Sequence, residues 1–326
     1  MTVLLHRRSL LALLGAAPLT RAFAQSGDAW PTRPVRIIVP FAPGGGADVS
    51  ARVLAEQFAP QLGQGVVVEN RPGAGSAVGV NAAAQARDGH TLLMGSNSMV
   101  INPSLNPQIG YDVARDFDAV GMVSAQPLVL VVPASSPVRS MAELVEQVKA
   151  RPGQLTAGNS GNGTLAHLTS ELFAAQVGAA ITPVPYKGES ALMPDLMGGL
   201  VNFGFLNLPS VAPHIQSGKL RALAVSSPQP VGSLAGVPTL RSLNYPQLEV
   251  QGWAALLAPK GTIPAEGLAK LEGLLSRALT SEAVKSRFAS LNVEPVVQSR
   301  AATAQFLQAE GAKYAQVIRA RGIKAE

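Results

Sequence analysis

The sequence predicts an α/β protein of two lobes, each built on a mainly parallel sheet flanked by helices. Strands alternate with helices along most of the chain, which is the pattern of a parallel sheet covered on both faces. A strand, a glycine-rich loop and a helix follow one another at residues 35–62, and the same order of elements recurs at 155–178. Between them, residues 119–132 hold two extended stretches almost end to end, as expected where a chain passes between domains.

The predicted lobes are discontinuous in sequence. Lobe 1 takes residues 25–126 and 250–326, and lobe 2 takes residues 127–249. A stretch rich in proline, glycine and serine, 226–246, returns the chain to lobe 1, where a strand at 253–259 precedes three helices.

The first glycine-rich loop follows a strand of β-branched residues, Val35–Val39. Three consecutive glycines, Gly44–Gly46, let a ligand approach the backbone because no Cβ stands in the way. The helix behind them offers unpaired N–H groups and the positive end of its dipole to an anion. The alternative is an ordinary strand–helix turn with Asp48 as N-cap, and a carboxylate there would itself repel an anion.

The second loop reads Gly-Asn-Ser-Gly-Asn-Gly-Thr over 158–164 and leads into a helix that Gly178 ends. The hydroxyls of Ser160 and Thr164 can donate to a carboxylate, although Thr164 can also serve only as an N-cap. Ligands of open α/β sheets bind at the carboxyl ends of the strands. We therefore expect the two loops to face one another and to hold a small anion between backbone N–H groups.

Enzyme and nucleotide motifs do not fit these loops. Asn162 stands where the nucleophile elbow needs its second glycine. Gly161–Ala166 matches G-x-G-x-x-A, but no acid closes the next strand at the distance of a ribose contact. We therefore predict a protein that is not an enzyme and needs no cofactor. A secreted serine hydrolase using Ser160 is the alternative from another class.

Export is predicted by the first 24 residues, which would be removed as a signal peptide. Arg7 and Arg8 precede an apolar segment, and Ala22–Ala24 forms a small-x-small cleavage site. Both the general and the twin-arginine routes are compatible with these residues. The expected location is the periplasm.

Composition excludes several classes of function. Without the three arginines of residues 1–24, the chain has 23 basic and 20 acidic residues, a net charge of +3 that is too weak for nucleic-acid binding. The chain has no cysteine, and His90, His167 and His214 lack the spacing of metal ligands, so no metal site is predicted. We expect His90 and His167 to be structural, and Trp253 to lie in the core near the hinge.

Several segments occur together in the order typical of one family. They are WPTRPVRIIVPFAPGGGADVSARVLAEQF, VVVENRPGAGSAVG, DGHTLLMGSNS, NSGNGTLAHL, VPYKGESALMPDLMGG, GKLRALAV and GVPT. Over nearly the whole mature chain the sequence resembles the substrate-binding proteins of tripartite tricarboxylate transporters, the Bug family. The resemblance implies a periplasmic two-lobed binding protein of type II that captures small carboxylates and delivers them to a two-component membrane permease.

The resemblance also implies where the ligand binds, with bridging waters to its carboxylate. The expected ligand-binding residues are Phe41, Ala42, Pro43, Gly44, Gly45, Gly46, Asp48, Ser96, Asn97, Ser160, Gly161, Asn162, Gly163, Thr164, Tyr186, Lys187 and Asn207. Lys187 could instead be a solvated charge, and Phe41 could pack under its loop. Many members resemble the run around Leu206 but carry an aspartate there; if that acid meets a ligand amino group, its absence argues against an amino-acid ligand.

A monomer is expected. The alternative within the same fold is a sensor that presents its loaded lobes to a membrane kinase rather than to a permease.

Overall fold

The computed structural model describes residues 30–323, so the predicted signal peptide lies outside the described residues. The first elements are β1 (Val35–Val39), α1 (Gly46–Leu62), β2 (Val66–Asn70), α2 (Ala77–Ala84), β3 (Thr91–Ser96), α3 (Asn97–Leu105), α4 (Val113–Asp116) and β4 (Phe117–Pro133). The middle of the chain forms α5 (Met141–Ala150), β5 (Thr156–Asn159), α6 (Leu165–Val177), β6 (Thr182–Pro185), α7 (Glu189–Met197), β7 (Gly204–Asn207), α8 (Leu208–Gln216) and β8 (Leu220–Val225). The last elements are β9 (Gln251–Pro259), α9 (Ala265–Thr280), α10 (Glu282–Ser290), β10 (Glu294–Pro295) and α11 (Arg300–Arg321).

The sheets are mixed rather than mainly parallel, which corrects one part of the expected fold. β1 pairs in parallel with β2 and β3, and β5 pairs in parallel with β6. β9 runs antiparallel to β3 and β4, while β7, β8 and β10 run antiparallel to β4. The reason is the chain path: β4 carries the chain out of lobe 1 and β9 returns beside it, so the two strands point in opposite directions.

β4 is one continuous strand where the sequence suggested two. Its first part pairs with β9 as far as Pro127, and from Leu128 onward it pairs with β7 and β8. Proline has no N–H to donate to a ladder, so it suits a point where the partner strand changes. This exchange of partners supports the proposed lobe boundary at residue 127.

Several local signals in the sequence form the caps that they predict. Ser140 caps α5 by accepting a hydrogen bond from the N–H of Glu143, and Gly178 ends α6 in the left-handed conformation. Two expectations are wrong. Asp48 is the third residue of α1 and not its N-cap, because the helix already begins at Gly46. The polar run Ser96–Ser98 suggests a loop after a strand at 91–95, but β3 extends through Ser96 and α3 begins at Asn97.

Each lobe has a buried core beneath the loops of interest. In lobe 1, α1 and α9 pack on the sheet through apolar side chains such as Phe58 and Leu271. In lobe 2, Phe173, Phe203 and Phe205 form an aromatic cluster with ring centroids 5.7–6.4 Å apart. These cores hold the strand ends that carry the loops. Among residues 30–323, no helix combines the length and the apolar character needed to cross a bilayer.

Candidate ligand-binding site

Two adjoining cavities lie where the lobes meet, and Phe41 and Ser160 line both of them. In the first, the central cavity, the volume open to the centre of a water molecule is about 60 Å³. The second, the outer cavity, offers about 400 Å³ by the same measure. A small cavity thus adjoins a wider one.

The structure distributes the predicted site residues over three groups. The central cavity is lined by Phe41, Ala42, Gly45, Gly46, Ser96, Asn97, Ser160, Thr164 and Asn207. The outer cavity is lined by Phe41, Ser160, Gly161, Asn162, Gly163, Tyr186 and Lys187. Pro43, Gly44 and Asp48 line neither cavity. Contact of any of these residues with a ligand stays a prediction.

Five helices begin at the central cavity, and this is its main electrostatic feature. Gly45, Ser96, Thr164 and Asn207 are the N-caps of α1, α3, α6 and α8, and Glu189 is the first residue of α7. The first turn of a helix leaves N–H groups without intrahelical acceptors and carries roughly half a positive charge. No lysine, arginine or histidine is among the described residues that line this cavity. What the described lining offers to an anion is therefore backbone dipoles and not basic side chains.

Asp48 fixes the conformation of the lobe 1 loop without lining either cavity. Its carboxylate accepts hydrogen bonds from the N–H of Gly44 at 3.0 Å, from Asn70 Nδ2 at 2.9 Å and from both Arg52 Nε and Nη2 at 2.9 Å. Burial alone would raise the pKa of Asp48, but these bonds outweigh it and hold the pKa below its ordinary value. Asp48 is therefore an ionised organiser of the loop.

Neutral groups hold the lobe 2 loop. Thr164 Oγ1 donates to the carbonyl of Gly161 at 2.7 Å and accepts from the N–H of His167 at 3.3 Å. Asn159 Oδ1 accepts from the N–H of Gly161 at 2.8 Å. The hydroxyl proton of Thr164 is committed to the protein, so it is not free to donate to an anion.

The two predicted site residues at the junction of β3 and α3 have different hydrogen bonding. Asn97 is saturated by the protein: its Oδ1 accepts from the N–H of Trp253 at 3.0 Å, and its Nδ2 donates to the carbonyl of Gln251 and to the hydroxyl of Tyr314, both at 3.1 Å. Ser96 is the opposite case, since its buried Oγ has no hydrogen-bond partner within residues 30–323. The hydroxyl of Ser96 is therefore not committed to a group of the described chain.

Glu189 and Gln126 line the central cavity and were not predicted from the sequence. Asn207 donates its main-chain N–H at 2.9 Å and its Nδ2 at 2.8 Å to Glu189 Oε1. Gln126 Nε2 in turn approaches Asn207 Oδ1 at 3.4 Å. Asn207 therefore orients a carboxylate. The signal that was available in the sequence is its position, because Glu189 directly follows Gly188, the glycine at the N-terminus of α7.

The lobes touch across the cleft at the outer cavity. The N–H of Ala42 donates to the carbonyl of Lys187 at 3.3 Å. A Cβ at Gly75 would overlap the carbonyl oxygen of Asn162, and one at Gly163 would overlap Asn102 Oδ1. Glycine is therefore required at these contacts for the backbones to approach so closely. The contact involving Gly75 and Asn102 was not foreseen from the sequence.

Tyr186 and Lys187 face the outer cavity with different freedom. The Tyr186 hydroxyl donates to Asp195 Oδ2 at 2.6 Å, and burial together with this carboxylate raises the pKa of Tyr186 to about 12. Lys187 is exposed and forms no ion pair within the described range. Direct contact of Lys187 with a ligand stays a prediction.

Ser160 does not have the surroundings of an activated nucleophile. Its Oγ forms no hydrogen bond with a histidine in the part of the chain that the structure describes, and such a contact is the mark of a serine nucleophile. His167 Nδ1 instead accepts from the N–H of Gly163 at 3.3 Å. His90 contacts Thr32, Arg33 and Asp88 outside the cleft. The hydrolase alternative finds no support in this geometry.

Comparison with known proteins places this geometry in a family. Residues 50–323 match the sequence profile described as "Tripartite tricarboxylate transporter family receptor". Protein BugT of Bordetella pertussis is 42% identical over 320 residues, which cover 97% of this chain and 98% of that protein.

Solved structures agree with the sequence comparison. The periplasmic binding protein BugD is 32% identical with a TM-score of 0.87, covering 91% of this chain and 100% of that one. Rpa4515 of R. palustris, solved with adipate, is 33% identical with a TM-score of 0.86, covering 90% and 99%. The fold is that of periplasmic binding proteins, and the chain belongs to the family of tripartite tricarboxylate transporter receptors, the Bug proteins.

Proposed function

We propose that the protein captures a small carboxylate-bearing solute in the central cavity and delivers it to a two-component membrane permease. The observation that carries the proposal is the convergence of five helix N-termini on a cavity without a basic side chain. Backbone N–H groups and the free hydroxyl of Ser96 would bind a carboxylate there. The relative solved with adipate supports the class of ligand.

This way of binding suits a protein that must release its cargo. Arginine cannot lose its proton, so a buried arginine would stay charged and unpaired in the empty cavity at a large desolvation cost, whereas a buried acid such as Glu189 can bind a proton when the ligand departs. Helix dipoles are fixed by the fold and are present in both states. Periplasmic location is part of the proposal and is supported by the family and by the predicted signal peptide.

A thermal-shift screen of small mono-, di- and tricarboxylates tests capture. A ligand at 100 times its Kd stabilises the folded state by about 2.7 kcal/mol, which shifts the melting temperature by several degrees for a chain of this size. Mass spectrometry of the recovered ligand is the control for turnover. Absence of any shift across the screen, or chemical conversion of the ligand, would contradict the proposal.

Delivery needs its own measurement. Membranes of cells that express the permease should retain the loaded protein, and uptake of radiolabelled ligand should require both components. If the loaded protein instead stimulates a membrane kinase and uptake is unchanged, the receptor serves sensing and the transport part of the proposal is wrong.

A further inference from the structure

Glu189 is the part of the central cavity that anion binding does not explain. Its side chain is 6% exposed, and it is the one charged residue among the described residues that line the cavity. Within residues 30–323 it forms no ion pair. Buried carboxylates in proteins are nearly always paired with a cation. The fold therefore leaves a buried acid whose counter-charge is missing.

The carboxylate is held in a fixed orientation. Asn207 donates two hydrogen bonds to it, from the main-chain N–H and from Nδ2, and both go to Oε1. The Ser210 hydroxyl also acts on this carboxylate and favours its charged form, and the carboxylate keeps further lone pairs as acceptors for a donor inside the cavity. Burial raises the pKa of Glu189 above its ordinary value, as expected for an acid that lacks a positive partner.

A plain carboxylate ligand fits this arrangement poorly. Its negative charge can lie against the helix N-termini, but a second carboxylate would bring a like charge toward Glu189 inside a small volume. An ammonium group on the ligand would remove that conflict, since it supplies both the N–H donors and the charge that the acid lacks.

On the basis of the proposed receptor function, we propose that Glu189 selects a zwitterionic ligand, with its carboxylate at the helix N-termini and its ammonium group at the carboxylate of Glu189. Asn207 is the positioning residue for this contact. The expectation that a leucine at position 206, where the family resemblance implies an aspartate, argues against an amino-acid ligand does not apply to this cavity. Leu206 is fully buried, packs in the lobe 2 core and does not line the cavity.

Matched pairs of probes test the proposal, each pair differing only by an α-ammonium group: 2-aminoadipate and adipate, glutamate and glutarate, aspartate and succinate. Titration calorimetry is run on the natural sequence, on Glu189→Gln and on Glu146→Gln, an exposed glutamate of lobe 2 with the same change of charge. We expect the natural sequence to prefer the ammonium member of at least one pair by about 10- to 100-fold, the usual size of a charge-assisted hydrogen bond. Glu189→Gln should abolish that preference, and Glu146→Gln should keep it.

Three results would overturn the proposal. If the plain acids bind as tightly as their ammonium partners, and Glu189→Gln leaves the ratio unchanged, the selection by Glu189 is wrong while capture of carboxylates stands. If the plain acids bind more tightly as the pH falls, and Glu189→Gln removes that dependence, the partner of Glu189 is a proton. If no member of any pair binds, the proposal also fails, and the broader thermal-shift screen decides separately whether the receptor function holds. The preference of the natural sequence is informative even if Glu189→Gln does not fold.

Discussion

The two glycine-rich loops present the same device in sequence, but the protein holds them in different ways. In lobe 1 the loop is tied to an ionised carboxylate, Asp48, with Arg52 and Asn70 around it. In lobe 2 the loop is tied by uncharged groups, of which Thr164 and Asn159 are the main ones. Both arrangements fix backbone N–H groups before a ligand arrives. The comparison teaches that only the first loop depends on the ionisation of a carboxylate.

The largest effect is expected where the lobe 2 loop meets lobe 1. In Gly163→Ala the added Cβ would overlap Asn102 Oδ1, and the residue has a φ of +77°. We expect ligand affinity to fall about 100-fold, because relieving the overlap keeps the lobes apart. Calorimetry with the tightest ligand of the screen measures the loss, and solution scattering should show a less compact loaded form.

Gly153→Ala is the matched control for Gly163→Ala. Gly153 has a φ of +74°, and a Cβ there would meet no atom within 4 Å. The backbone strain of about 1 kcal/mol is thus similar in both variants, and only Gly163→Ala has the overlap across the cleft. Equal affinities in the two variants would show that the contact of Gly163 with Asn102 does not limit closure.

Asp48→Asn tests the charged support of the lobe 1 loop. We expect the free energy of unfolding at pH 7 to fall by about 1–3 kcal/mol, since the variant leaves Arg52 without its carboxylate and weakens the two further contacts with Gly44 and Asn70. Arg52 is half exposed, which keeps the effect below that of a fully buried pair. Urea unfolding measures it, and an unchanged midpoint would contradict this role.

The same variant gives a pH dependence with a definite sign. Because the pKa of Asp48 is lowered in the folded state, its contribution to stability is complete above the unfolded-state pKa, near 4, and is lost as the pH falls through the folded-state value. The difference in stability between the natural sequence and Asp48→Asn should therefore shrink between pH 5 and about pH 2. A difference that stays constant over this range would show that Asp48 is not the titrating group.

Thr164→Ala tests the uncharged support of the lobe 2 loop. Loss of the N-cap and of the bond to Gly161 should lower stability by about 1 kcal/mol. A hydroxyl does not titrate in this range, so the loss should be the same at pH 7 and at pH 4. Thr164→Ser, which keeps the hydroxyl, is the control and should restore most of the stability. A loss of stability that changes with pH would contradict the conclusion that only the lobe 1 loop depends on an ionised group.

Ser96→Ala should have the smallest effect, and on binding rather than on stability. The buried Oγ of Ser96 has no partner in the described chain, so its removal should change the free energy of unfolding by less than about 0.5 kcal/mol. If it donates to the ligand, affinity should fall about 3- to 10-fold. Calorimetry on Ser96→Ala and Thr164→Ala in parallel compares the loss of a hydroxyl that has no protein partner with the loss of one that is hydrogen-bonded within its loop. Unchanged affinity would remove Ser96 from the site.

The sequence was sufficient for the α/β class, the family and the loops that meet at the cleft. β1 occupies the predicted residues, and Gly178 ends its helix as expected, because β-branched runs and glycine act through local sterics. The expectation of a mainly parallel sheet was wrong, since the directions of β4 and β9 depend on how the chain crosses between lobes. Local pattern carries no information about that path.

The tertiary structure alone decided which side chains are free to act. Ser96, Asn97 and Thr164 are all predicted ligand contacts in the sequence. In the structure, Trp253 and Tyr314 occupy Asn97, the loop itself occupies Thr164, and of these three only Ser96 lacks a partner in the described chain. Likewise, no local pattern marks Glu189 as a buried acid, because its burial arises from five helices that meet from two lobes. Hydrogen-bond satisfaction and desolvation depend on residues distant in sequence, and these set the chemistry of the site.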